Sequence, residues 1–300
     1  MQKDKLLFLN ENQVRALLSY DDLIPAIRQA LMDFSAGRVV QPLRTVMSIA
    51  SHGGWFAVMP AVYGGVMGAK MVTFYPKNVE QQEHTHMAMI QLFQSDTGEP
   101  LAVMDGRLIT EMRTAAVSAV AVDRLARPDA RVLGILGSGV QARSHVQALS
   151  RVRRFEKIRV WSRTEENARR FADEVGGRAT TAEEAVRGAD VVLTVTSSPV
   201  PILQGRWLKR DAVVCAVGAA TPDRRELDDE AMRGAVVVES REASMREAGD
   251  ILLAKAEVSA EIGELLNGAV LDKKGLATVF KSVGTALADL AAAILVYESV

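Results

Sequence analysis

The chain is poor in several things, and each shortage closes a door. One cysteine in 300 residues leaves no partner for an internal disulfide. Cys215 lies in the apolar run Ala212–Val217, where burial keeps a thiol protonated and inert. No apolar run approaches the roughly 18 residues that a bilayer-spanning helix needs. Neither sign of charge predominates: 36 Lys and Arg stand against 37 Asp and Glu. That balance offers no field to draw the chain to nucleic acid or to an anionic membrane. No repeat or low-complexity segment appears. The opening Met1-Gln-Lys-Asp-Lys5, followed only by the short apolar stretch Leu6–Leu9, does not read as a signal peptide. A cytoplasmic protein without a membrane or nucleic-acid partner is expected.

What is present suits a globular enzyme: 48% hydrophobic and 24% charged residues. Asp21 and Asp22 precede a helical pattern, with Pro25 expected in its first turn and Gly37 ending it. From Arg44 to Met104 the chain reads as short strands, with Ser95–Gly98 as a hairpin-like turn. An Ala-rich helix is predicted from Thr110 to Leu125. After Pro128 apolar strands alternate with helices: strand 131–136, helix 144–150, strand 158–161, helix 165–175, then strands 191–196, 212–217 and 236–239. This alternation indicates a doubly wound parallel sheet covered on both faces. An apolar helix from Thr285 to Tyr297 closes the chain and would pack back on the first domain.

The sharpest local signal is Gly137-Ser-Gly139-Val-Gln-Ala142, at the end of a strand and the opening of a helix. Gly137 permits the tight turn, Gly139 lets the backbone approach a pyrophosphate, and Ala142 lets helix and strand pack closely. Helix N-terminal amides then favour the phosphates. An acid about 20 residues on would bind the ribose 2′-hydroxyl of NAD. This chain has Trp161-Ser162-Arg163-Thr164 there instead. Two hydroxyls and a guanidinium suit a 2′-phosphate, so NADPH is the expected cofactor, with NADH as the alternative. The competing reading leaves Arg163 as a solvated charge or an adenine stack.

Lys70 stands inside the apolar strand 68–72, where an unpaired charge would be costly. It requires either a side-chain carboxylate or an anionic ligand. Arg113, at the start of an apolar helix, opposes the helix dipole and also calls for an anion nearby. His84 and His86 would share one face of a strand, but no third ligand for zinc lies near them, so no metal is expected.

Several segments together resemble the ornithine cyclodeaminase/mu-crystallin family over nearly the whole chain. They are Gly68-Ala-Lys70, Met104-Asp-Gly106, Glu111–Ala116, Gly137–Ala142, Pro222-x-x-x-Glu226-Leu-Asp-Asp229, and Phe280–Gly284 followed by Asp289. The stretch from Glu226 through Gly249-Asp250 is closer to the family's ketimine reductases than to its true cyclodeaminases. The resemblance implies an α/β protein: a Rossmann-type domain, residues 119–284, and a second α/β domain for substrate binding and dimerisation, residues 1–118 with 285–300. It implies that Arg44 and Lys70 hold the substrate carboxylate, and that Thr85, Arg113 and Thr114 reach the cofactor and the substrate side. Val140 and Gln141 would contact the pyrophosphate. Arg224, Ser282 and Val283, with the strand ends at Thr196 and Val217, would lie toward the nicotinamide. Lys70, Arg44 and Arg113 are the expected catalytic group. His86 would join Val283 in the substrate pocket if it faces that way, as a proton donor to an amine. Asp105 and Asp289 read as structural, capping a helix or holding a basic residue.

The family's cyclodeaminases, as the resemblance implies, use two carboxylates where this chain has Ala57 and Ala220. Neither alanine can bind an ammonium or accept a proton, which disfavours ornithine cyclisation. What remains is a carboxylate clamp beside a hydride donor, with Trp55, Met59 and Val283 to exclude water. The expected activity is NADPH-dependent reduction of a small cyclic imino-carboxylate, Δ1-pyrroline-2-carboxylate or Δ1-piperideine-2-carboxylate, by a homodimer. The alternatives are an alanine-dehydrogenase-like or opine-type amino-acid dehydrogenase, and a non-catalytic protein that binds NADPH or a small ligand.

Overall fold

A computed structural model describes residues 6–273 and 275–300. The opening Met1–Lys5, read above as no signal peptide, lies outside the described residues. The chain divides into two compact units, Met1–Arg113 with Thr285–Val300, and Thr114–Gly284. Among the described residues, no helix is long and apolar enough to cross a membrane.

Unit 1 carries β1 (Leu7–Leu9), α1 (Glu11–Leu17), α2 (Tyr20–Ser35), β2 (Thr45–Ile49), β3 (Gly54–Tyr63), β4 (Val66–Phe74), β5 (His86–Gln94) and β6 (Pro100–Asp105). Its six-stranded sheet runs β1-β6-β5-β4-β3-β2, antiparallel except where β1 joins β6. α3 (Arg107–Leu125) leads into unit 2, which continues with β7 (Val132–Leu136), α4 (Val140–Val152), β8 (Lys157–Trp161), α5 (Glu165–Glu174), β9 (Arg178–Ala179), α6 (Ala182–Val186), β10 (Val191–Thr194), β11 (Val213–Ala216), β12 (Val236–Val238), α7 (Arg241–Glu247), α8 (Gly249–Ala254), β13 (Val258–Glu261), α9 (Ile262–Leu266) and β14 (Thr278–Lys281). Its sheet is wholly parallel, in the order β13-β12-β14-β11-β10-β7-β8-β9. The central strands β10, β11 and β14 are buried along their full length, as expected of a doubly wound sheet with helices on both faces. Strand order reverses between β7 and β10, the switch point at which such sheets bind ligands.

α10 (Ala286–Glu298) returns the chain to unit 1 and lies against α2 and strands β3 to β5. Nearly every residue of its first half is buried. Two of its leading amides have side-chain partners: Leu287 N donates to Gln41 Oε1 at 2.6 Å and Ala288 N to Thr285 Oγ1 at 3.4 Å. The helix covers one face of the sheet. On the other face Met47, Val62, Met87 and Met89 are exposed.

Several local expectations change. Ser19, not Asp21 or Asp22, caps α2 by accepting from Asp22 N. Pro25 therefore lies inside the helix rather than in its first turn; tertiary packing of a face that buries Leu23, Ile24 and Ile27 outweighs the lost amide. α3 opens at Arg107, because Asp105 accepts from Leu108 N at 3.1 Å and starts the helix earlier than the apolar pattern does. β14, which the strand pattern passed over, sits in the centre of the second sheet. Cys215 is buried in β11, and burial pushes its thiol up to about 12.

Candidate functional site

The charged residues of unit 1 converge on the inner face of its sheet. Lys70 occupies the middle of β4, flanked across the ladder by buried Met59 and Ile90. Its ammonium lies 2.8 Å from Asp289 Oδ2 and donates to Thr110 Oγ1 at 3.3 Å. Asp289 Oδ1 lies 2.8 Å from Arg113 Nε. One carboxylate thus serves two cations, all three almost wholly withdrawn from water. Of the two partners left open for Lys70, the fold supplies the side-chain one, from the first turn of α10. Arg113 lies in the second turn of α3, not at the helix start, so the dipole opposes it less than expected, and Asp289 supplies the anion its charge calls for. The Nη1 atom of Arg113 is buried with no hydrogen-bond partner among the described residues.

Burial drives the Lys70 pKa down to about 7; Asp289 pulls it back up, while Arg113 and Arg44 push it lower. Arg44, in the loop before β2, is therefore within electrostatic reach of the cluster. Beyond Lys70 the same face continues through Ala57, Val72 and Ala88 to Trp55, Phe74 and His86. The Trp55 and Phe74 rings stack with centroids 5.6 Å apart. Burial, then the charges of Lys70 and Arg113, depress the His86 pKa to about 4, so its imidazole is neutral at physiological pH. His84 falls before β5 and outside any strand, so the two histidines do not share a strand face. Thr85, between them, is half-buried, and its carbonyl accepts from Tyr75 N. Thr114, the next residue after Arg113, is buried.

In unit 2, β7 runs directly into Gly137, whose φ is +130°. A Cβ there would meet the Val195 carbonyl oxygen at 2.8 Å, so only glycine fits. Gly139 caps α4 without any side-chain bond, and a Cβ on it would meet nothing within 4 Å. Open space over unclaimed helix amides is what a phosphate needs. α4 starts at Val140, on the turn itself, rather than at Ser144. Val140 is exposed at this turn, and Gln141 Oε1 is buried without a hydrogen-bond partner among the described residues. Ser138 donates to Ser162 Oγ at 2.9 Å, joining the turn to the tip of β8, where Arg163 and Thr164 are exposed. Arg143 donates to the Ser138 carbonyl at 2.8 Å and pairs with Glu174, with its guanidinium 5.1 Å from the Phe171 ring centre. These groups fit the pyrophosphate and adenosine ribose of a dinucleotide.

The model of the ornithine cyclodeaminase/mu-crystallin family matches residues 4–300. The chain belongs to that family. It is 47% identical to ketimine reductase mu-crystallin of Mus musculus, over 97% of this chain and 96% of that one. Among solved structures it resembles the Thermococcus litoralis Δ1-pyrroline-2-carboxylate reductase in complex with NADH and L-proline, with TM-score 0.93 and 33% identity over 98% and 97% of the two chains. An archaeal alanine dehydrogenase dimer with bound NAD is similar at TM-score 0.93 and 31% identity, covering 98% and 95%.

In this member of the ornithine cyclodeaminase/mu-crystallin family, the remaining candidates cluster at the C-terminal ends of the central strands of unit 2. Thr196 follows β10, Val217 follows β11, and Ser282 and Val283 follow β14; Arg224 lies exposed in the loop after β11. Ser282 is buried, and its hydroxyl donates to Glu239 at 2.9 Å. Sequence reasoning quoted Glu226, Asp250 and Lys281 within the family-like segments but gave them no role, and passed over Glu239; all four are buried behind these tips. A signal existed. Lys281 ends an apolar strand and Glu239 follows one, the same pattern that singled out Lys70. Gly139→Val should leave the melting temperature nearly unchanged, because the Cβ meets open space. Dinucleotide affinity measured by fluorescence titration should fall by at least about tenfold, a change of about 1.4 kcal/mol.

Proposed function

We propose that this protein reduces a small cyclic imino-carboxylate, Δ1-pyrroline-2-carboxylate or Δ1-piperideine-2-carboxylate, to the cyclic L-amino acid, with NADPH as the preferred reductant. The chain is an oxidoreductase that acts on C=N bonds with a nicotinamide dinucleotide. The observation that carries the choice of substrate class is the surplus of buried positive charge on the inner face of unit 1. Lys70 and Arg113 share the single carboxylate of Asp289, and Arg113 keeps a buried donor without a partner. A substrate carboxylate supplies the missing acceptor and charge, with Arg44 as a third cation. Fixing that carboxylate orients the ring carbon, and such positioning removes several kcal/mol from a barrier.

The bound nicotinamide supplies the hydride. The chain's own residues hold, orient and shield. Trp55, Phe74 and Met59 make an apolar wall. The neutral His86 ring on the same face offers a hydrogen bond rather than a second positive charge, so at neutral pH it orients the substrate and is not a ready source of protons. Ala57 and Ala220 leave no acid to activate a second amine, which keeps ornithine cyclisation disfavoured. The exposed Arg163 guanidinium and Thr164 hydroxyl, with the half-buried Ser162 hydroxyl beside them, support the preference for a 2′-phosphate. The lone buried thiol suits a cytoplasmic location.

NADPH oxidation with each cyclic imine tests the reading directly; turnover of pyruvate with ammonia alone would replace it with an alanine-dehydrogenase-like activity. Lys70→Ala should lower kcat/KM at least about a hundredfold, or about 2.7 kcal/mol, with NADPH affinity kept. The sign of the pH effect follows from the low Lys70 pKa. Its protonated form binds a carboxylate, so L-proline binding by calorimetry should weaken as pH rises through about 7. Lys70→Met should abolish that slope. Arg163→Ala should weaken NADPH far more than NADH; equal weakening of both would refute the cofactor preference.

A homodimer is the assembly we propose, through the uncovered sheet face of unit 1. Met47, Phe56 and Met87 lie in one ladder row and Val58, Met71 and Met89 in the next. Thr73 interrupts the first row, yet exposed apolar side chains gathered on one sheet face in this way suit an interface. Met47→Glu combined with Met89→Glu should shift sedimentation from dimer to monomer; an unchanged dimer would mean another face is used.

A further inference from the structure

We infer that Glu226 is a positioning residue for the nicotinamide half of the cofactor, and that Asp250 and Lys281 hold it in place. The inference rests on the dinucleotide reading above. The glycine turn after β7 and the Ser162–Thr164 tip of β8 take the adenosine and pyrophosphate side. The other half then extends over the tips of β10 and β11, beyond the switch point.

Glu226 is fully buried and bridges those two tips. Its Oε1 accepts from Thr196 N and Thr196 Oγ1, both at 2.7 Å. Its Oε2 accepts from Thr194 Oγ1 and Gly218 N, both at 2.8 Å. Thr194 ends β10, and Thr196 and Gly218 each lie two residues past a strand end. The two loops are pulled so close that a Cβ on Gly218 would meet the Thr196 carbonyl oxygen at 2.1 Å. The carboxylate touches no ligand itself. It acts by fixing the loop ends that present Thr196 and Val217.

The chemistry demands a carboxylate. Each oxygen faces one backbone N–H, and a backbone donor cannot reverse its role as a hydroxyl can. An amide in place of the acid would aim its own NH2 at either Thr196 N or Gly218 N, leaving donors opposed in a buried site.

The support behind Glu226 is equally buried. Asp250 Oδ1 accepts from Glu226 N at 2.7 Å and Leu227 N at 2.9 Å. Asp250 Oδ2 lies 2.9 Å from Lys281 Nζ, both residues having no exposure. Lys281 ends β14, the strand beside β11. Burial pushes the Glu226 pKa up and the Lys281 charge pulls it back. On β14's other side Glu239 repeats the device, accepting from Ser282 Oγ, Val283 N and Gly284 N.

The test compares the affinities of NADPH and of 2′-phospho-ADP-ribose, which lacks the nicotinamide, for the full-length protein and for Glu226→Gln, with a thermal melt of each. The expected result is an about tenfold loss for NADPH, the equivalent of about 1.4 kcal/mol, with the fragment's affinity unchanged. Equal losses for both ligands would reveal a general structural role and overturn the inference, as would no loss for either. Thr194→Val removes one donor to the same oxygen with little change of shape, and should give the same split at smaller size. It decides the matter if Glu226→Gln does not fold. Failure of the unaltered protein to bind either ligand would instead overturn the cofactor reading, and the inference with it.

Discussion

The carboxylate of Asp289 is the point on which the chemistry of unit 1 turns. It sits in the first turn of α10, where an acid is favoured by the helix dipole, and it answers two buried cations at once. Deleting such a partner from a buried pair costs about 3–5 kcal/mol, because the remaining charge is stranded away from water. Yet one carboxylate cannot neutralise Lys70 and Arg113 together. Burial depresses the Lys70 pKa to about 7, with Asp289 only partly offsetting it and Arg113 adding to it, and Arg113 is left with an unused donor. The fold is thus stable enough to hold two cations and electrostatically incomplete enough to want an anion.

Unit 2 manages buried charge by the opposite rule. At the ends of β10 and β11 the donors and acceptors close on themselves, while Oε1 of Glu239, beside β14, is buried without a hydrogen-bond partner among the described residues. Glu226 takes four hydrogen bonds, Glu239 three, and Asp250 joins Lys281 to the Glu226 main chain. A satisfied buried network rigidifies what it touches, and around Glu226 it touches the loops that follow β10 and β11. The glycine turn is rigid for another reason: Gly137 has a backbone conformation and a neighbour that exclude every other residue. Unit 1 keeps two buried cations on one carboxylate, while unit 2 closes its network around Glu226.

Membership in the ornithine cyclodeaminase/mu-crystallin family accounts for the pairing of these two kinds of site in one chain. The differences lie in single side chains. Ala57 lies on the inner sheet face close to Lys70, and Ala220 follows β11. Neither alanine carries a group that could bind an ammonium or accept a proton.

Sequence alone determined what depends on local pattern. The alternation of apolar strands and helices, the Gly137–Ala142 turn, the absence of an acid at the β8 tip and the anomaly of a lysine in an apolar strand are all legible within a few residues, because backbone conformation and the cost of a buried charge are local facts. The tertiary structure alone decided the partners. Lys70 required an anion, but only the return of α10 to the first sheet brings Asp289 beside it. Pro25 fell inside a helix because the buried face of α2 outweighs one lost hydrogen bond. β14 escaped notice because its place between β11 and β12 is a matter of sheet order, and Glu226 and Lys281 share a network only because parallel strands far apart in the chain end side by side. Ion pairs and sheet neighbours are set by distance in space, which no spacing along the chain encodes.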